Sequence, residues 1–210
     1  MKKLTLLIYA CLCTATIACS QAVQLGVFAG PNLSTLGSQS MIGVGETAAL
    51  TFGAHAGLYT EITAGHWSIE PAVVYAGIGG RINSIYSLNS YAGYEDVHLQ
   101  YLQVPVNILY NTAGRKFFFG GGPYIGFGLS GSESGSSTYL GVTDAYYNDK
   151  YTFYSGNKLD YGINLLAGLH VAGGTFFTIG CSLGLRQATS LDYIIVRNDV
   201  ISLSIGHSIF

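Results

Sequence analysis

Seven side chains of this 210-residue chain are of types that could do acid–base or ion-handling chemistry: Asp160, Arg186, Glu61, Glu70, His55, Tyr59 and His170. Carboxylates and imidazoles within reach of one another relay protons or act as general acid and base. Here that would mean a lipid-modifying enzyme or a path for protons or ions. Serine hydrolysis needs a Ser, a His and an acid that converge. Serines are plentiful, but His66 and His170 sit by tight turns and His207 shares the parity of its apolar neighbours, which leaves His55 as the candidate. The five histidines have no second His or Cys two to four residues away, so no metal-ligand spacing is present and no metal is expected. Residues 126–131, GFGLSG, match the dinucleotide pattern G-x-G-x-x-G. That fingerprint requires a following helix to hold the pyrophosphate. The segment that follows is SESGSSTYLG, a polar stretch, so no cofactor is expected either.

Whether the seven residues can meet depends on the elements that carry them, and the clearest element is FFFGGGPYIGFGLSG at 117–131. Phe117, Phe119, Pro123, Ile125, Phe127 and Leu129 alternate with Phe118, Gly120, Gly122, Tyr124, Gly126, Gly128 and Ser130. A period of two is a strand, with a bulky apolar face and a small or polar one. The same alternation recurs from Val23, Leu50, Trp67, Tyr101, Asp160, Phe177 and Ile201, which makes eight strands. Each is about ten residues or longer, enough to cross a bilayer when tilted.

Composition agrees. Nearly half the residues (49%) are apolar and only 10% are charged, against about a quarter in a soluble domain. The chain opens MKKLTLLIYACLCTATIACSQA, with a basic start, an apolar run and small residues at Ser20 and Ala22. This reads as a secretory signal at 1–22, cut after Ala22, with a lipoprotein signal ending at Cys19 as the rival. Residues 23–210 then form one domain with seven basic and eleven acidic residues, which offers no electrostatic footprint for nucleic acid. Only Cys181 remains, pointing toward lipid as a small hydrophobe.

The connections alternate. Three are tight, at 63–66, 112–115 and 172–174, and four are long, at 35–49, 79–97, 131–158 and 187–199. That is the arrangement of an outer-membrane barrel, with short turns and both termini periplasmic and long loops extracellular. The expected fold class is therefore all-β, an eight-stranded antiparallel up-and-down transmembrane β-barrel. Centring the last tight turn on Gly173 pairs Asp160 with Arg186, Gly162 with Gly184 and Leu169 with Phe177. Trp67, Tyr110, Phe117, Phe177 and Phe210 fall at the periplasmic rim and Phe52, Tyr75, Phe127 and Tyr161 at the outer rim, as two interfacial girdles. All four prolines (Pro31, Pro71, Pro105, Pro123) fall inside strands, where bulges are expected to absorb them.

The segments GVFAGPNLSTL, IEPAVVYAGIGG, YLQVPVNILY, FFFGGGPYIGFGLSG, DYGINLLAGLHV and NDVISLSIGH together resemble the PorT-like, porin-family outer-membrane β-barrel proteins of Bacteroidota. The resemblance spans the mature chain. It implies a small barrel with no assigned activity, and a C-terminal aromatic read by the barrel-assembly machinery. Here Ile209 holds that register, Phe210 follows one place later, and His207 stands where Tyr is usual.

Glu61, Glu70 and His170 fall toward the tight-turn end and Asp160 and Arg186 toward the other, so the chemistry-bearing residues are not expected to converge. An eight-stranded barrel is just wide enough for side chains to fill it, and these residues, with His55 and Tyr59, read as a satisfied polar plug. A general diffusion pore is not expected, because porin channels need about sixteen strands. The long loops hold nine of the sixteen tyrosines, with eight acids and four bases. The expected role is non-enzymatic, in envelope integrity or surface contact through those loops. The alternatives are a secretion-system accessory or a barrel enzyme that modifies outer-membrane lipid. Outer-membrane lipid is the expected surrounding, and the surface ligand is left open.

Overall fold

The computed structural model describes residues 22–39, 45–86, 91–139, 142–143, 146–151, 153, 158–186 and 195–209. The leader at 1–21 and Phe210 lie outside the described residues. The strands are β1 (Ala22–Gln39), β2 (Gly45–Ala49), β3 (Thr51–Ala64), β4 (Trp67–Tyr86), β5 (Tyr91–Asn111), β6 (Phe117–Tyr139), β7 (Val142–Thr143), β8 (Tyr147–Lys150), β9 (Leu159–His170), β10 (Thr175–Gly184) and β11 (Ile195–Ser208). Eight of them pair antiparallel in the order β1-β3-β4-β5-β6-β9-β10-β11, and β11 pairs back onto β1, so the sheet closes on itself as an up-and-down barrel. Closure leaves no unpaired edge around the wall.

Alternation sorts the side chains as the sequence pattern requires. Phe52 is 71% exposed and Leu58, Leu165, Ile179 and Leu203 are all more than half exposed, whereas Tyr59, Tyr101, Leu109 and Asn111 are at most 3% exposed. A soluble sandwich would bury the first set and wet the second. The β9–β10 hairpin has the register expected from a turn centred on Gly173, with Leu169 opposite Phe177 and Gly162 opposite Gly184. That glycine, like Gly114 in the β5–β6 turn, has φ of +78°, a left-handed conformation that glycine adopts without a Cβ clash.

Three expectations change. First, three of the long connections are largely strand: in 35–49 β1 runs on to Gln39 and β2 takes up 45–49, while β4 and β5 stay paired out to Tyr86 opposite Tyr91, and β5 and β6 out to Tyr91 opposite Tyr139, with β2 and β8 flanking this β4–β5–β6 extension. Its residues lack an apolar stripe because neither face packs against a large core, so periodicity gave no signal. Second, Ser130 is not inward. The β5–β6 register slips by one at Gln100/Tyr101, which leaves Leu129 without a partner and puts Ser130, exposed, opposite Gln100. Third, the prolines need no bulge. The ladders pause beside Pro31, Pro71, Pro105 and Pro123 and resume in unchanged register. Each pause forfeits a hydrogen bond of about 1 kcal/mol. At two of them a preceding glycine closes the gap: a Cβ at Gly30 or Gly122 would collide with the carbonyl of Leu203 or Val106.

The interior is built by a repeated device, a large aromatic lying over a glycine on the adjacent strand. Tyr59 faces Gly26, Phe28 faces Gly57, Phe118 faces Gly168, Phe176 faces Gly206 and Tyr124 faces Gly162, each as a direct cross-strand pair. At every one of these glycines an added Cβ would run into the aromatic ring. The glycines thus supply the floor on which the rings lie.

Candidate functional site

The lumen contains four layers of side chains. At the tight-turn end Glu61 Oε1 accepts hydrogen bonds from Ser68 Oγ (2.6 Å), Thr63 Oγ1 (3.2 Å) and Arg115 Nη2 (3.4 Å). Asn111 Nδ2 donates to Ser68 Oγ at 2.8 Å, and Arg115 Nη2 also reaches Thr63 Oγ1 at 3.1 Å. Glu61, Thr63, Ser68 and Asn111 are all buried, so a charge-assisted network satisfies the carboxylate where solvent cannot. Arg115 has φ of +52°, in the left-handed region that costs a non-glycine residue energy. The turn holds that strain while carrying the guanidinium to Glu61.

Above this network lies an aromatic plug. Tyr59 and Phe176 meet edge-on with ring centroids 5.4 Å apart, Phe118 and Phe176 at 6.2 Å, and His170 lies 4.7 Å from Phe118. Tyr59 also shares a 2.9 Å hydrogen bond with Ser208 Oγ.

The third layer is a cavity of about 110 Å³. Asn107 Nδ2 donates to Glu70 Oε1 at 3.2 Å on its wall, and His55 Nε2 lies 2.8 Å from Ser204 Oγ. The expected side-chain-filled interior is therefore filled at both ends and hollow between. The plug is wide because its rings rest on glycines; at the cavity level the inward residues of β4 are short, with Ala72 and Ala76 among them.

The fourth layer, toward the long connections, centres on Asp160. Its Oδ2 accepts from Tyr124 Oη and Asn198 Nδ2, each at 3.2 Å. Arg186, on the register position across from Asp160, donates Nη1 to the Leu159 carbonyl. Tyr101 and Phe153 meet edge-on at 6.0 Å, and Tyr151 packs 5.1 Å from Phe153.

The inward candidates fall into two groups: Glu61, Glu70, Tyr59 and His170 border one small space beside the plug, with Glu70 and His55 also on the cavity wall, while Asp160 and Arg186 stand apart at the far end. Sequence reasoning missed the partners that satisfy them. Ser204 is 149 residues from His55 and Arg115 is 54 from Glu61, and no local pattern signals such pairs. The His55–Ser204 contact has two members of a hydrolase triad, but His55 Nδ1 is unpaired, so no acid orients the ring. Among the described residues no cluster of three or more His, Cys, Asp or Glu could hold a metal ion.

On the outer face, Trp67 and Tyr110 pair beside the first tight turn with rings 5.1 Å apart, and Tyr110 lies 5.5 Å from Phe119. Phe117 and Phe177 are half exposed at the same end, while Phe52, Tyr75, Phe127 and Tyr161 stand exposed at the other. Beyond that second aromatic level, Arg81 forms a two-point pair with Asp96, Nε to Oδ1 and Nη2 to Oδ2 both at 2.6 Å, and its guanidinium lies 5.0 Å over the Tyr94 ring. Hydrogen bonding to Arg81 holds the Asp96 carboxyl below its ordinary value. Burial, with the charge of Glu133, pushes the neighbouring Glu95 up.

These opposite shifts predict a two-phase acid response of the strand extension. A carboxyl raised by folding destabilises when ionised, so protection of the β4–β5 amides beyond Tyr75 and Leu102 should rise as pH falls through the raised Glu95 value. The Arg81–Asp96 contribution is present above the free carboxylate range, ~3.9, and is lost as pH falls through the lowered Asp96 value. Hydrogen exchange read against pH checks both limbs, and Glu95→Gln should erase only the first.

A closed antiparallel ring with an apolar exterior and a polar, aromatic-plugged lumen defines a small membrane β-barrel. A family model described as the outer membrane protein beta-barrel domain matches residues 19–190, and the chain belongs to that family of outer-membrane proteins. No curated relative matches the sequence. Among solved structures the chain is similar to OprG of Pseudomonas aeruginosa, at 12% identity over 90% of this chain and 96% of that one with a TM-score of 0.48. It is also similar to Ail, the attachment invasion locus protein of Yersinia pestis, at 10% identity over 88% and 97% with a TM-score of 0.42. A third is Neisserial surface protein A, at 11% identity over 89% and 98% with a TM-score of 0.39.

Proposed function

We propose that this protein is a non-enzymatic component of the outer membrane that presents the β4–β5–β6 extension at the cell surface as a contact platform, with the tight turns and both mature termini in the periplasm. The PorT-like affiliation and removal of the leader after Ala22 belong to the same reading. The observation that carries it is the extension itself: three long strands stay paired for about ten residues beyond the outer aromatic level, and Arg81 is clamped to Asp96 and stacked on Tyr94. A paired sheet presents its side chains at a lower entropy cost than a flexible loop. An enzyme would need reacting groups within hydrogen-bond reach of one another, and although Glu61, Glu70, Tyr59 and His170 border one small space, the hydrogen bonds described for Glu61, Glu70 and Tyr59 go to Ser68, Thr63, Arg115, Asn107 and Ser208 instead.

Two variants test the orientation. Lys150→Cys on β8 should react with a membrane-impermeant maleimide on intact cells, and Ala113→Cys in the β5–β6 turn only after the outer membrane is opened. Reversal of that pattern would end the reading. Cells whose protein lacks the extension, with the barrel retained, should lose surface attachment while keeping detergent resistance. Unchanged attachment would remove the platform role.

A further inference from the structure

Among the described residues lining the central cavity, three carry polar atoms that are buried and unpaired: Asn32 Oδ1, His55 Nδ1 and Asn107 Oδ1. Asn32 and Asn107 are 3% exposed and His55 9%, so bulk water does not satisfy them. Leaving a buried acceptor unmade costs ~1–3 kcal/mol. Asn107 gives its Nδ2 hydrogen to Glu70, and with the proton of His55 on Nε2, shared with Ser204, Nδ1 is an acceptor. All three open sites, and Glu70 itself, therefore ask for a donor. Among the described residues no Lys or Arg lines the cavity; Arg115 is engaged beyond the aromatic plug with Glu61 and Thr63.

The walls are chemically divided. Ala72, Val74, Ala76 and Ile78, successive inward residues of β4, form an apolar side, while β10 and β11 bring Ser and Thr hydroxyls opposite. Phe118 and Phe176 make the floor. Tyr101, Asn198 and Asp160 stand one or two inward positions beyond the lining residues Gln103, Val200 and Asn164, and close the other end. There Phe153, on the connection between β8 and β9, packs edge-on against Tyr101. About 110 Å³ approaches the roughly 150 Å³ that accepts a benzene-sized guest.

We propose that the central cavity is a binding site for a small primary ammonium ion with a short apolar tail. Glu70 supplies the counter-charge, the unpaired acceptors take the N–H hydrogens, and the β4 wall receives the tail. Trapped water would satisfy the acceptors but would leave the β4 wall without an apolar partner.

The test uses the mature barrel folded in detergent, with folding of every variant checked by its heat-dependent gel shift. Thermal unfolding is followed against n-propylammonium chloride, with propyltrimethylammonium chloride (same charge, no N–H), propanol and sodium chloride as comparisons. Saturable stabilisation by n-propylammonium alone is expected. Glu70→Gln should weaken it about tenfold or more, the loss expected for a charge-assisted hydrogen bond. Ala76→Phe, which fills the cavity, should abolish it. Equal stabilisation by the trimethyl analogue, persistence in Ala76→Phe, or no effect at 100-fold excess over millimolar concentrations overturns the proposal. The last result would assign the cavity to water.

Discussion

Phe176→Ala is expected to lower barrel stability by ~3–5 kcal/mol, the range for deleting a buried aromatic that its surroundings cannot replace. Phe176 is 6% exposed, lies over Gly206, and contacts Tyr59, Phe118 and His170. Tyr59 and Phe118 are each held over their own cross-strand glycine, and His170, the direct cross-strand partner of Phe176, is stacked on Phe118, so none moves readily into the void. Denaturant unfolding of the barrel refolded in lipid vesicles measures the loss. A second readout is independent of stability. Phe176 and Phe118 line both the central cavity and the smaller space beside Glu61 and Glu70. Removing the ring joins the two into one larger void between the Glu61 network and the Asp160 layer, so a crystal structure of the variant should show a single continuous cavity. The reverse error should also be costly. Gly206→Leu would drive a side chain into the Phe176 ring, and overpacking of this kind costs ~1–3 kcal/mol.

Leu165→Arg is the second large effect, and it separates a lipid-facing wall from a wet one. Leu165 is 54% exposed on β9, four residues from Tyr161 at one aromatic level and four from Leu169, which pairs with Phe117 and Phe177 at the other. At the bilayer midplane an arginine costs ~2–4 kcal/mol, falling to ~0–1 near the interfaces. Leu185, 55% exposed and hydrogen-bonded through its amide to Tyr161, is the paired control and should lose almost nothing. If both sites faced water, both substitutions would fall within ~0.5 kcal/mol of zero. Unfolding free energies of the two variants in the same vesicles decide it.

The barrel wall was legible because its signal is local and repeated. Leu165, Ala167 and Leu169 alternating with Asn164, Gly168 and His170 state a strand with two unlike faces, and the Gly173 turn states its register. The strand extension was not legible. Beyond Gly79 and Val97, Arg81 pairs with Asp96 and Asn83 faces Tyr94, so neither face carries the apolar alternation that marked the wall, and backbone pairing with the Arg81–Asp96 bridge holds the strands together. Among the candidates, parity put Glu61, Glu70, His55, Tyr59 and Asp160 inside. It could not show that Glu61 would meet Arg115, that His55 would meet Ser204, or that Asp160 would take its hydrogen bonds from Tyr124 and Asn198.

What the sequence by itself determined is the periodic part: eight two-faced strands, the tight turns, and an apolar exterior with small and polar residues inside. Each of these depends on neighbours two residues apart or on one turn. Only the tertiary structure decided the rest. Closing β11 onto β1 brings residues more than a hundred positions apart to the same level of a narrow lumen, and there the relative heights of the strands choose which groups touch. Those heights set rings over glycines to make a plug, join Glu61 to Arg115, and leave three acceptors and Glu70 around a space that no local pattern announces.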